Sequence, residues 1–131
     1  MAIDKRSVLV VDDEEVIRDF LWEVLEDDYQ VITATDGDEA IEEIKKHTFD
    51  IIITDLKMPR VSGEEVVKYA RENSPDSRII VISGYSSLYS VSQSVSGGAS
   101  TFLSKPFTIR QLLGAIEGPS ENVVDRKGGQ L

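Results

Sequence analysis

The chain has no cysteine among its 131 residues. Disulfides, thiolate catalysis and cysteine-ligated metal centres are therefore excluded. No stretch approaches the run of about 20 apolar residues that a membrane helix needs. Positive charge is scarce: 14 Lys and Arg face 24 Asp and Glu, for a net charge of −10. That sign is wrong for neutralising phosphates, which argues against direct nucleic-acid binding. It suits solubility, and a local acidic site that prefers cations. The start "MAIDKRSVLVVDD" lacks the layout of a signal peptide, so a cytoplasmic address without membrane contact is the expectation. What remains is an ordinary globular balance, 40% hydrophobic and 29% charged, at a length that favours one core.

Short apolar runs alternate with helical patterns. The segments 7–11, 30–34, 50–54, 78–82 and 100–103 read as strands. Several are apolar at consecutive positions, as in a parallel sheet covered on both faces. Between them, 14–27, 37–47, 63–73 and 109–117 carry apolar residues at helical spacing. Three of these helices open on capping-box spacing: Asp36 with Glu39, Ser62 with Glu65, and Thr108 with Gln111. There a side-chain oxygen caps a backbone N–H and the later residue reaches back, with Asp36 the looser match. A further helix over 86–98 has Leu88, Val91 and Val95 in phase but six serines, so it is expected to be labile. Strand–helix alternation predicts an α/β fold, doubly wound, with five parallel strands in the order 2-1-3-4-5 and five helices. Residues 1–117 are expected to form the domain. Residues 118–131, "GPSENVVDRKGGQL", read as a polar tail or the start of a linker.

Sheets of this kind bind ligands beyond the carboxyl ends of their strands, at the switch in strand order. Asp12 and Asp13 follow the first strand, Asp55 the third, Ser83 the fourth, and Lys105 with Pro106 the fifth. Strands 1 and 3 flank the switch, so three carboxylates gather at one edge. They repel one another, which raises their pKa values unless a cation joins them. Oxygen ligands alone suit a hard cation, and Mg²⁺ commonly takes one or two carboxylates plus phosphate oxygens. Any one of these residues alone reads as a turn former, a helix cap or a surface lysine; only the set is informative. His47, the one histidine, closes a helix, and Trp22 falls beside an apolar stripe; neither reads as a ligand.

The segments "VLVVDDE" (8–14), "IIITDLKMPRVSG" (51–63), "IIVISGY" (79–85) and "GASTFLSKPF" (98–107) together resemble the receiver domain of bacterial two-component response regulators. The resemblance spans about 6–117 and implies a phosphorylation-activated switch with the flavodoxin-like receiver fold. It makes Asp55 the phosphoacceptor and assigns Mg²⁺ (or Mn²⁺) to Asp12, Asp13, Asp55 and the backbone carbonyl of Lys57. It makes Lys105 and Ser83 the groups that bind the phosphoryl moiety, and Ser83 with Phe102 the switch pair. The side chains of Lys57 and Tyr85 stand as neighbours that can screen an acyl phosphate from water, and the Lys105–Pro106 bond is expected to be cis. The implied donor is a sensor histidine kinase or a phosphotransfer protein. The implied readout is the face of helix 4, strand 5 and helix 5, which also offers a homodimer surface; a downstream protein or output domain is not named by these residues. The switch aromatic here is Phe, not the usual Tyr, so readout would rest on packing.

Two other classes stay open at this level. One is a phosphorylation-independent interaction module with the same fold. The other is an aspartyl-phosphate phosphatase, which would use a strand-end Asp and Mg²⁺. Such enzymes place a second acid two residues after the nucleophile, where this chain has Lys57. Otherwise the reading is of a phosphoacceptor regulatory domain and not an enzyme.

Overall fold

The computed structural model describes residues 5–84 and 88–118. Strands β1 (Arg6–Val11), β2 (Tyr29–Ala34), β3 (Ile51–Asp55), β4 (Arg78–Ser83) and β5 (Thr101–Ser104) alternate with helices α1 (Glu15–Leu25), α2 (Gly37–Lys46), α3 (Gly63–Asn73), α4 (Leu88–Ser96) and α5 (Ile109–Glu117). All pairings are parallel and the order is β2-β1-β3-β4-β5. This is the order that the strand–helix alternation predicts, because right-handed crossovers leave few other solutions. Among the described residues, no helix is long and apolar enough to cross a membrane.

The consecutive apolar residues of the central strands divide between two cores by the period-2 alternation of strand side chains. Leu9, Val11, Ile52, Ile79 and Val81 face Ala40 and Ile44 of α2 and Val66, Val67 and Ala70 of α3. Val8, Val10, Ile51, Ile53, Ile80 and Ile82 face Leu21 and Leu25 of α1 and Leu112 and Ile116 of α5. Both sheet faces are thus dry, and the edge of the sheet is the place left for chemistry.

The helix stripes are narrower than the sequence pattern suggests. Val16 is 77% exposed and Val95 50%, and Ile109 and Leu113 also lie in solvent. Each sits at the margin of its stripe, beyond the reach of the sheet. The caps differ in kind. Ser62 and Thr108 form complete capping boxes with Glu65 and Gln111. Asp36 caps the N–H of Glu39 at 2.8 Å, but the Glu39 carboxylate reaches past it and accepts from the N–H of Thr35 at 2.6 Å. Helix α1 ends at Leu25 and α2 at Lys46, short of the expected 27 and 47; His47 is the C-cap of α2. Of the expected tail, only Gly118 lies among the described residues.

Candidate functional site

Four strands, β1, β3, β4 and β5, bring their carboxyl ends to one cleft. It has a volume of ≈ 290 Å³ and is lined by Asp13, Glu14, Asp55, Lys57, Gly84 and Lys105. Register explains the convergence: Val11 pairs with Thr54, and Asp55 pairs with Ile82. Asp12 therefore emerges beside Asp55, and Ser83 ends the next strand over. One carboxylate oxygen from each of Asp12, Asp13 and Asp55 lies within 4.8 Å of the others.

Asp12 is buried, and the backbone fixes it. Its Oδ1 accepts from the N–H of Glu14 at 2.9 Å, and its Oδ2 accepts from Lys105 Nζ at 3.1 Å. Asp13 is exposed. Asp55 is 7% exposed. Its Oδ1 accepts from the N–H of Leu56 at 2.8 Å, and the backbone N–H of Lys57 also bonds to it. A tight turn follows, in which the N–H of Gly63 donates to the Leu56 carbonyl at 2.9 Å. A Cβ at position 63 would meet the Asp55 carbonyl oxygen at 1.9 Å, so only glycine lets the loop close on the strand end.

Burial pushes the Asp55 carboxyl above the usual carboxylate range, and the Asp12 charge adds to this. Burial raises Asp12 as well, against the hydrogen bonds from Glu14 and Lys105. Burial alone would lower Lys105, but the hydrogen bond and charge of Asp12 and the charge of Asp55 outweigh it, so its ammonium is held above the ordinary value. The donor set fits a hard divalent cation: oxygen atoms only, converging, and in charge surplus over the single lysine.

Lys105 follows β5, and its peptide bond to Pro106 is cis. Its Nζ lies 3.1 Å from both Asp12 and Glu14 and 3.6 Å from Asp55. Ser83 is fully buried at the end of β4, and its carbonyl accepts from the N–H of Lys105 at 2.9 Å. Phe102 on β5 is half-buried against the core on the α2 and α3 side. Lys57 is exposed at the cleft wall. Tyr85 lies outside the described residues.

Three residues at the site had no role in the sequence reading. Glu14 shares Lys105 with Asp12. Arg18 donates to the Asp12 carbonyl at 2.8 Å. Arg60, in the loop after Asp55, takes a left-handed φ of 62° and reaches α2. Glu14 stood in the quoted segment "VLVVDDE", but its partner lies 91 positions away, which no local pattern reveals. A second cleft of ≈ 410 Å³ adjoins the first, lined by Glu14, Ile17, Phe20, Lys105, Pro106 and Phe107.

Comparison with known proteins agrees with this geometry. The chain is 32% identical over 128 residues to a response regulator named ArlR from Staphylococcus saprophyticus, covering 93% of this chain and 58% of that protein. The chain thus spans little more than half the length of the curated relatives it matches. In structure it is similar to a Burkholderia pseudomallei response regulator solved with a phosphorylated aspartic acid, a calcium ion and citrate, with a TM-score of 0.82, 33% identity, and 87% of this chain and 68% of that one covered. It is also similar to the chemotaxis protein CheY4 of Vibrio cholerae, with a TM-score of 0.81, 35% identity, and 86% and 97% covered. The family model described as the response regulator receiver domain matches residues 8–117, from the first buried strand to the last residue of α5, and the chain belongs to that family.

Proposed function

We propose that this receiver domain is a switch that accepts a phosphoryl group on Asp55 with Mg²⁺. The observation that carries the reading is the convergence of the Asp12, Asp13 and Asp55 oxygens within 4.8 Å, with Lys105 Nζ 3.6 Å from Asp55. An Asp55 oxygen attacks the phosphorus of the donor. The new O–P bond forms as the bond from phosphorus to the donor's imidazole nitrogen breaks; the electron pair stays on that nitrogen, and the ring, already protonated on its other nitrogen, leaves as neutral imidazole. Such transfers need positioning and charge neutralisation more than covalent help. Asp12, Asp13, Asp55 and the Lys57 carbonyl would hold the metal, which supplies positive charge opposite the phosphoryl oxygens. Lys105 supplies the remaining positive charge from the other side, and the Ser83 hydroxyl gives a hydrogen bond that exists only with the phosphoryl group present.

A differential contact of that kind biases a two-state equilibrium. We read the Ser83 loop and Phe102 as the element so biased, and the α4–β5–α5 face as its output. Val95, Ile109 and Leu113 stand exposed there, which supports a partner or a second copy as the covering surface. The donor, a sensor histidine kinase or phosphotransfer protein, has the cleft between α1 and the β5–α5 loop to dock in, at the mouth of the site. We take the domain to run over 1–117, which the end of the family match supports, and 118–131 to be a polar tail or the start of a linker.

The test is intact-protein mass after incubation with acetyl phosphate, with and without Mg²⁺, and with Asp55→Asn as control. The expected result is a Mg²⁺-dependent gain of one phosphoryl group, absent in the variant and labile to base. No gain in any condition overturns the reading and leaves an interaction module that does not use phosphate.

A further inference from the structure

The loop that follows Asp55 is tied to the start of α2, the neighbour of α3 on the same face of the sheet. Arg60 Nη2 donates to Asp36 Oδ2 at 2.7 Å, and its Nε donates to Asp38 Oδ2 at 3.0 Å. Asp36 is the N-cap of α2, and Asp38 lies in that helix's first turn. One guanidinium thus bridges two carboxylates in the fixed fork geometry that lysine lacks. The backbones meet beside it: a Cβ on Gly37 would come within 2.3 Å of the Val61 carbonyl oxygen. Arg60 also holds a φ of 62°, which a residue with a Cβ adopts only where its surroundings fix it. Both ends of the same loop close on the strand end: Gly63 lies against the Asp55 carbonyl, and the Lys57 N–H bonds to the Asp55 carboxylate. The loop is held at its ends by Asp55, and Arg60 is the side chain that braces its middle against α2.

From this we infer that Arg60 is a positioning residue for the phosphotransfer site: by tying the β3–α3 loop to the start of α2, it holds the Lys57 carbonyl in place for the cation. The inference rests on the functional reading above, which makes that carbonyl a metal ligand. It differs in sign from what charge alone would do. Arg60 is a cation near a cation site, and its removal also leaves Asp36 and Asp38 uncompensated. Through-space electrostatics therefore makes metal binding tighter in Arg60→Ala. Loss of positioning makes it weaker, as loss of partners behind metal ligands does.

The experiment measures Mn²⁺ binding by the paramagnetic resonance of the free ion, in the full chain. It is paired with the rate of acetyl-phosphate labelling as Mg²⁺ is varied. The Arg60 side chain is 63% exposed, so Arg60→Ala is expected to weaken Mn²⁺ binding by about threefold, the scale of an exposed ion pair. The half-saturating Mg²⁺ should rise in parallel, while the labelling rate at saturating Mg²⁺ stays within about twofold, as for a positioning role. Arg60→Lys, with its charge kept and its fork lost, should fall between the two. If Arg60→Ala shows no cooperative melting, Arg60→Gly reads the same quantity, because glycine takes the left-handed φ freely. Unchanged or tighter Mn²⁺ binding in a folded variant overturns the inference, as does a lower saturating rate at unchanged half-saturation. Native protein that binds no Mn²⁺ would instead overturn the metal-dependent reading of the site, and the inference with it.

Discussion

The buried carboxylate of Asp55 comes at a cost to the fold. Two buried carboxylates, Asp12 and Asp55, are both raised by burial, and the Asp12 charge raises Asp55 further. A raised carboxyl in the folded state holds its proton more tightly than the unfolded chain does. Its stabilising contribution is full below the ordinary value of 3.8 and is lost as pH rises through the raised one. With metal chelated, Asp55→Asn is therefore expected to melt higher than the native protein near neutral pH. The gap should close as pH falls toward the window above 3.8 where the native Asp55 takes up its proton. Saturating Mg²⁺ should reverse the order, because the native carboxylate binds the ion and the amide binds it poorly. Melting temperatures across pH, with and without Mg²⁺, check this. A native protein that melts higher than Asp55→Asn in chelator at neutral pH would contradict it. At the same scale, Gly63 was legible only as part of a motif. The reason for it, a clash of any Cβ with the Asp55 carbonyl, is visible only in three dimensions.

Among the elements, α4 stands apart. Over Leu88–Ser96 it carries four serines, no acid in its first turn and no base in its last. Serine costs about 0.5 kcal/mol relative to alanine in a helix, so the four together forgo roughly 2 kcal/mol. Over 91–96, tertiary packing repays little of this. Across 91–96 only Ser94 is buried, Val91 is half-buried and Val95 lies half in solvent. A gap of ≈ 20 Å³ also lies between α3 and α4, lined in part by Val67, Gln93 and Ser94. By contrast α3 and α5 have complete capping boxes and buried pairs, Val66 with Val67 and Leu112 with Ile116. Hydrogen exchange of the amides is expected to be about 30-fold faster in α4 than in α3 or α5, the factor that about 2 kcal/mol of local stability gives. Equal protection in the three helices would show that packing, not propensity, sets the stability of α4. A helix this loosely held is suited to move when the strand end beside it changes.

For the molecule as a whole, the sheet is the frame through which the proposed switch would travel. Ser83 is fully buried at the end of β4, paired with Ser104 on β5, whose neighbour Lys105 donates its N–H back to the Ser83 carbonyl. Phe102 lies two residues earlier on the same strand as Ser104. A pull on the Ser83 hydroxyl thus reaches β5 without crossing a flexible segment. Ser83→Ala protein is expected to accept the phosphoryl group on Asp55 yet to switch at least about tenfold less completely, since a hydrogen bond to a charged group contributes about 1.5–3 kcal/mol. Resonances of the Phe102 ring, followed during acetyl-phosphate labelling, report the populations. Full switching in Ser83→Ala would remove the hydroxyl from the relay. Glu117, at the end of α5, accepts a short hydrogen bond from Tyr29 at the start of β2, whose hydroxyl burial pushes up to about 12. The last helix is thereby tied to the edge of the sheet away from the site.

How much of this was legible beforehand depends on the range of the interaction. Periodicity and short-range chemistry determined the strands, the helices, two complete capping boxes and the fold order, because each rests on neighbours within one turn or on the few ways parallel strands connect. The strand-end position of Asp12, Asp13, Asp55, Ser83 and Lys105 followed from the same alternation. What only the tertiary structure decided are contacts between residues far apart in the chain. Lys105 rests between Asp12 and Glu14 and slightly farther from Asp55. Arg60 reaches back 24 positions to Asp36. Val16, Val95, Ile109 and Leu113 are in solvent although their spacing matches a buried stripe. A stripe says which residues share a face. Only the packed sheet says how wide a face it covers, and which charges from separate strands end up sharing one acidic edge.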